Sequence, residues 1–189
     1  MSEIVFLLEE SSAEAMLQGL LPKVLPPGRP HRCIVFEGKQ DLEKQMVKRM
    51  RGYLVPGARF VVLRDQDAGD CKKIKDRLVR KCADARRKHA LVRIACHELE
   101  SWYLADLAAV EKGLGAKRLV RLQGERRFRA PDSIASPSRL LKEIAPGYQK
   151  VGGSRAIGPH LDPTNQRSRS FAVFVDGVRL VCDSMKTVL

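Results

Sequence analysis

Asp65 and Asp67 flank a single glutamine at the end of an apolar run, Phe60-Val-Val-Leu63, and Ala68-Gly69-Asp70 follows at once. Side chains at i and i+2 of an extended backbone lie on one side, so the two carboxylates are expected to point together. Carboxylates held that close repel each other unless a cation sits between them, and an oxygen-only donor set suits Mg²⁺ or Mn²⁺. Aspartate beside glycine is also an ordinary way to end a strand and open a turn. Other acidic residues decide between the readings. Glu9 follows the apolar run Ile4 to Leu8, with Glu14 in the opening turn of the next segment, and Glu98 and Glu100 follow the apolar run Ala90 to Cys96. If these runs are parallel strands, their carboxyl ends share one edge of the sheet, and three independent segments deliver acidic groups to one place. A glutamate at a helix N-terminus can be plain dipole compensation, but the coincidence across three strands favours a metal site.

The elements that must position these residues follow from periodicity. Ile4 to Leu8 is a continuous apolar run, as expected of a strand covered on both faces. Ser12 to Leu25 carries Ala13, Met16, Leu17, Leu20 and Leu21 at helical spacing, and Pro26-Pro27-Gly28 stops it. His31 to Phe36 reads as a second strand, Asp41 to Tyr53 as a second helix, and Arg59 to Leu63 as a third strand. Ile74, Leu78, Cys82 and Ala85 mark a third helix, Ala90 to Cys96 a fourth strand, and Leu99 to Val110 a fourth helix. Alternating strands and helices predict an α/β fold: a parallel four-stranded sheet flanked by helices, with right-handed crossovers. Sites in such sheets lie beyond the carboxyl ends of the strands.

Residues 1–112 thus read as an α/β core. Residues 113–189 read as a basic extension packed on it, mostly irregular or helical, with one short helix near Ser138 to Ile144; Gly152-Gly153 reads as punctuation. Phe171 to Val181 admits a hairpin around Asp176-Gly177 or a helix with Phe171, Phe174, Val175, Val178 and Cys182 on one stripe. The helix, with Ser170 as N-cap, is preferred.

The chain has 189 residues, 44% of them hydrophobic, enough for one packed domain without disulfides. No apolar stretch approaches the roughly 20 residues needed to span a bilayer, and Ile4 to Leu8 is too short for a signal peptide. The chain therefore reads as cytoplasmic, with no membrane partner. Five cysteines are scattered and lack CxxC spacing, so reduced thiols are expected. A formal charge of +13 attracts polyanions, with nucleic acid, DNA or RNA, the leading partner. With 5% aromatic residues, backbone contact is a better expectation than base stacking. Lys72 and Lys73 open the third helix, and Arg126, Arg127 and Arg129 surround Phe128 in an irregular segment; a solvated surface is the alternative for each. Lys150 and Arg155 flank Gly152-Gly153, where a phosphate could approach the backbone. The serines have no His and Asp context for a nucleophilic triad, so capping is expected of them.

The ordered series of motifs resembles the Toprim domain and, within it, the DUF4276 family. Leu8-Glu-Glu-Ser-Ser-Ala-Glu14 resembles that family's first motif, Arg64-Asp-Gln-Asp67 the Toprim DxD, and Glu98-Leu-Glu-Ser-Trp-Tyr-Leu-Ala-Asp106 its acidic-Trp segment. Tyr148-Gln-Lys150, Arg155-Ala-Ile157 and Arg167-Ser-Arg-Ser-Phe171 resemble its C-terminal signature, so the likeness spans nearly the whole chain. Glu10 departs from the pattern, standing where the family has glycine; it could crowd the turn or offer an alternative carboxylate. The resemblance implies Glu9 as general acid/base, Asp65 and Asp67 as ligands of Mg²⁺ or Mn²⁺, and Glu14 and Glu100 as holders of a second metal, as in nucleases of the overcoming-lysogenisation-defect type. Glu98 joins the metal-ligand candidates, and Lys150 the catalytic ones. The expected activity is cleavage of phosphodiesters, in phage defence beside an AAA- or ABC-type ATPase. A non-catalytic module binding nucleic acid or protein, and a phosphotransfer enzyme acting on small phosphorylated substrates, are the rival expectations.

Overall fold

The apolar run Ile4–Leu8 is a strand, β1, none of whose side chains reaches solvent. Such a strand needs cover on both faces, and the computed structural model, which describes residues 3–185, supplies it. β1 lies between β2 (His31–Val35) and β3 (Arg59–Asp65), and β4 (Leu91–Ala95) completes a four-stranded parallel sheet in the order β2-β1-β3-β4. The arrangement is Rossmann-like. Side chains alternate across it with period two. Ile4, Phe6 and Leu8 join α1 (Ser11–Val24) on one face, while Val5 and Leu7 join α2 (Lys39–Arg51) and α3 (Cys71–Asp84) on the other. α1 and the pair α2/α3 thus leave the sheet on opposite sides, and strand order reverses between β1 and β3. A crevice opens at that point beyond the carboxyl ends.

β3 is two residues longer than its apolar run predicts and carries Arg64 and Asp65 within the strand. The expected fourth helix is two: α4 (Glu100–Leu104) and α5 (Leu107–Leu114). Asp106 divides them, because its Oδ1 accepts the Ala109 N–H at 3.1 Å and caps α5.

The C-terminal half is more regular than its glycines and prolines imply. Short 3₁₀ turns (Val120–Gly124, Arg126–Phe128, Pro131–Ser133) lead to α6 (Pro137–Ile144), α7 (Lys150–Ile157), a further turn (Gly158–His160) and α8 (Arg169–Ser184). The ambiguous end is therefore helical, and its N-cap is Ser168, whose Oγ accepts the Phe171 N–H at 3.1 Å. Asp132 braces the same end, accepting from Ser168 Oγ at 2.6 Å and from Ser170 N at 2.7 Å. Gly152 and Gly153 do not break the chain but lie inside α7. Leu119, Phe128, Leu141, Tyr148, Ile157 and Phe174 belong to the buried cluster that covers the α1 face of the sheet. Among the described residues no helix is long and apolar enough to cross a membrane.

Glycine makes the docking of this half possible. A Cβ on Gly19 of α1 would lie 2.4 Å from Pro159 N and Cδ, and one on Gly158 would lie 2.4 Å from Met16 O. Backbone touches backbone at both points. Gly19→Ala should overpack this contact and cost about 1–3 kcal/mol, lowering Tm by roughly 2–4 °C per kcal/mol. Gly124→Ala, whose Cβ would meet nothing within 4 Å, should melt like the wild type in the same calorimetric comparison.

Candidate active site

Glu9 and Asp65 leave neighbouring strands at the switch point. Glu9 N donates to Leu63 O at 3.4 Å, and Asp65 N returns a hydrogen bond to Glu9 Oε2 at 3.1 Å. Arg64, 5% exposed, is the counter-ion inside the sheet: its Nε lies 3.7 Å from Glu9 Oε2, and its Nη1 pairs with Glu43, which also holds Arg77. Glu10 has extended backbone (φ −152°, ψ 165°), so its side chain fits where glycine was expected. Its carboxylate accepts from Ser12 Oγ at 2.6 Å and from Lys150 Nζ at 2.7 Å.

Glu100 completes the group. It is 1% exposed at the start of α4; Oε1 accepts from the Tyr148 hydroxyl at 2.9 Å, whereas Oε2 is buried with no hydrogen-bond partner among the described residues. Tyr148 is held in turn by Gly153, where a Cβ would lie 2.4 Å from the ring's Cδ2. Burial and the charges of Glu100, Glu9 and Glu10 push the Asp65 carboxyl well above the ordinary range, with Lys150 opposing. Burial raises Glu9 against the Asp65 N–H and Arg64, and raises Glu100 against Tyr148 and Lys150. For Lys150, burial works against the charge, but the bond to Glu10 and the fields of Glu10, Glu100 and Asp65 prevail and raise it.

The remaining predicted site residues are bonded differently, although the charges of Asp67 and Glu98 still reach Glu9 and Glu100. The strand ends at Asp65, and Asp67 sits in a left-handed turn (φ 55°), so the extended geometry that would align the two aspartates is absent. Asp67 N donates to His97 O at 2.7 Å, and its Oδ2 accepts from Lys39 Nζ at 2.8 Å. Glu98 Oε2 accepts the Ser138 N–H at 2.7 Å and so tethers the first turn of α6. Glu14, on α1, neighbours the Cys33 thiol of β2. Lys72 and Lys73 are exposed on α3, and Arg126, Arg129 and Arg155 are also exposed. Arg127 is bound to Glu125 and Glu143 and lies 4.9 Å from the Phe128 ring centroid, which makes it a structural clasp. Arg64 and Tyr148 join the site without having been expected there; an arginine inside an apolar strand is the available signal for the first.

Among the described residues no group of three or more His, Cys, Asp or Glu is already arranged to hold a metal ion. The donor set nonetheless fits a hard divalent cation: all oxygen, mutually repelling, with one buried carboxylate oxygen left over at Glu100. Glu9 or Glu10, Asp65 and Glu100 are the residues that would hold it, with Lys150 acting as counter-charge.

A family model described as Domain of unknown function (DUF4276) matches residues 8–179. No curated protein and no solved structure matches the chain.

The raised carboxyls carry a pH signature. Asp65, Glu9 and Glu100 bind protons more tightly folded than unfolded, so their contribution to stability is full below the ordinary carboxyl range and is lost as pH rises through the raised values. Between about pH 5 and about pH 8, metal-free wild type should lose Tm more steeply than Asp65→Asn, which removes one charge from the cluster. Parallel Tm profiles would count against the crowding.

Proposed function

This chain belongs to the DUF4276 family, and on that footing we propose that it is a Toprim-type phosphodiesterase, dependent on Mg²⁺ or Mn²⁺, that cuts nucleic acid. One observation carries the reading. Glu100 keeps a buried, unpartnered carboxylate oxygen beside Asp65, Glu9 and Glu10, a concentration of negative charge that the Lys150 ammonium only partly offsets. A divalent cation bound there would neutralise charge on the phosphoryl oxygens and supply a hydroxide nucleophile at neutral pH.

The chain's own residues have separate tasks. With Glu10 taking the place beside the cation, Glu9, its carboxyl raised by burial, can give a proton to the leaving oxygen. Lys150 stands at the first position of α7, where it can exchange Glu10 for a non-bridging phosphate oxygen. Tyr148 fixes the rotamer of Glu100 and touches no substrate in this scheme. Lys72, Lys73, Arg126, Arg129 and Arg155 are exposed cations that would hold the polyanion through its phosphates, adding affinity without sequence preference.

The Lys150–Glu10 contact also favours a second reading, in which the ammonium is a permanent replacement for metal and the chain is a non-catalytic module binding nucleic acid or an ATPase partner. Incubation with plasmid, single-stranded DNA and tRNA separates the two. Mg²⁺- or Mn²⁺-dependent cleavage should fall on the order of 10²-fold or more in Asp65→Ala and Glu100→Gln, and should vanish with a chelator. Glu14→Gln and Glu98→Gln should cut within a few-fold of wild type. Cleavage that survives the chelator or Asp65→Ala overturns the enzyme reading. Salt-sensitive binding with no metal uptake by calorimetry selects the module.

A further inference from the structure

A second group of reactive side chains lies on the far side of the same strand ends. Cys71 is the first residue of α3, and Cys96 is the first residue after β4. Both line a cleft of about 360 Å³ with Lys75, Arg93, Asp132 and Ser170. Each thiol bears on the titration of the other, so the two are neighbours in this cleft. Both are partly exposed, whereas Cys82 and Cys182 are buried in the core. The segments that carry them are already tied together: Gln66 N donates to Ala95 O at 2.9 Å, Asp67 N donates to His97 O, and His97 N donates to Gln66 Oε1 at 3.4 Å.

We propose that Cys71 and Cys96 are a dithiol modification site, oxidised reversibly by peroxides to an intramolecular disulfide that joins the start of α3 to the loop after β4. The sequence of steps balances. The Cys71 thiolate attacks one peroxide oxygen, the O–O bond breaks, and sulfenic acid and hydroxide form. The Cys96 thiol then attacks the sulfenic sulfur, forming the S–S bond and expelling water. Overall, two thiols are oxidised and one hydrogen peroxide is reduced to two waters. Burial raises both thiols, Cys96 to about 11, but Lys75 opposes the rise at Cys71, which also stands at the N-terminus of the 14-residue helix α3, so Cys71 is the one placed to react first. Cys96 is placed to resolve, facing the sulfur that has just been oxidised. Lys75 also lines the cleft that holds both cysteines. The proposal is independent of the phosphodiesterase reading.

Full-length protein, fully reduced and then exposed to hydrogen peroxide, tests it by intact and peptide mass spectrometry. The expected product is lighter by about two mass units, the two hydrogens lost in forming one disulfide. After trypsin it should yield a single cross-linked pair, Asp65–Lys72 with Ile94–Lys112, that dithiothreitol separates. Cys71→Ser should leave Cys96 free for alkylation, and Cys96→Ser should leave Cys71 as a sulfenic acid trapped by dimedone. Separate alkylation of both cysteines after peroxide overturns the proposal, as does pairing with Cys33, Cys82 or Cys182, or conversion of either thiol directly to the sulfinic acid. Because the decisive reading is made on the wild-type chain, it does not depend on the folding of the variants.

Discussion

Where β1 and β3 part, Glu9, Glu10, Asp65 and Glu100 crowd together with Arg64 and Lys150 as counter-charges, and that repulsion constrains everything around it. A carboxylate taken out of water is costly unless it is paired, hydrogen-bonded or protonated. The fold uses all of these. Arg64 lies inside the sheet, Tyr148 comes from the C-terminal half, the Asp65 N–H bonds Glu9, and burial, with the neighbouring charges, raises the acids. A sheet whose strand ends carried neutral residues would need none of them, so these supports mark the crevice as something other than a by-product of packing.

The supporting groups come from distant parts of the chain. β1 and β3 bring the acids, but Tyr148 and Lys150 arrive more than eighty residues after Asp65, just before and at the start of α7, and the turn that follows α7 is held against α1 by glycine contacts. The C-terminal half therefore shares the α1-side core and supplies the crevice with its hydroxyl and its ammonium. Its basic residues divide accordingly: Lys150 faces inward, Arg127 clasps Glu125 and Glu143, and Arg126, Arg129 and Arg155 remain at the surface.

The strands and the three flanking helices were legible because burial on two faces writes a continuous apolar run, and burial on one face writes a helical stripe. Glu9, Asp65 and Glu100 were legible from strand ends alone. Asp67 was not, because an i, i+2 argument assumes extended backbone and says nothing of a left-handed turn beginning one residue beyond the strand. Glu98 resisted for a different reason: its task is to bond a backbone N–H forty residues away, a relation no local pattern records. α7 was hidden by Gly152-Gly153, since local propensity treats paired glycines as a break whereas the fold needs one of them bare beneath an aromatic ring.

That bare glycine reaches further than its own helix. Gly153 lets the Tyr148 ring lie against the α7 backbone, and the ring's resting place aims the hydroxyl at Glu100. The electrostatics of the crevice are thus set partly by a residue that carries no charge and touches none of the acids. A chain could retain every carboxylate and still be detuned by one methyl group at this position. Counting acidic residues would then overstate how many such crevices are fit for work, and the tenant of position 153 would be the more discerning guide.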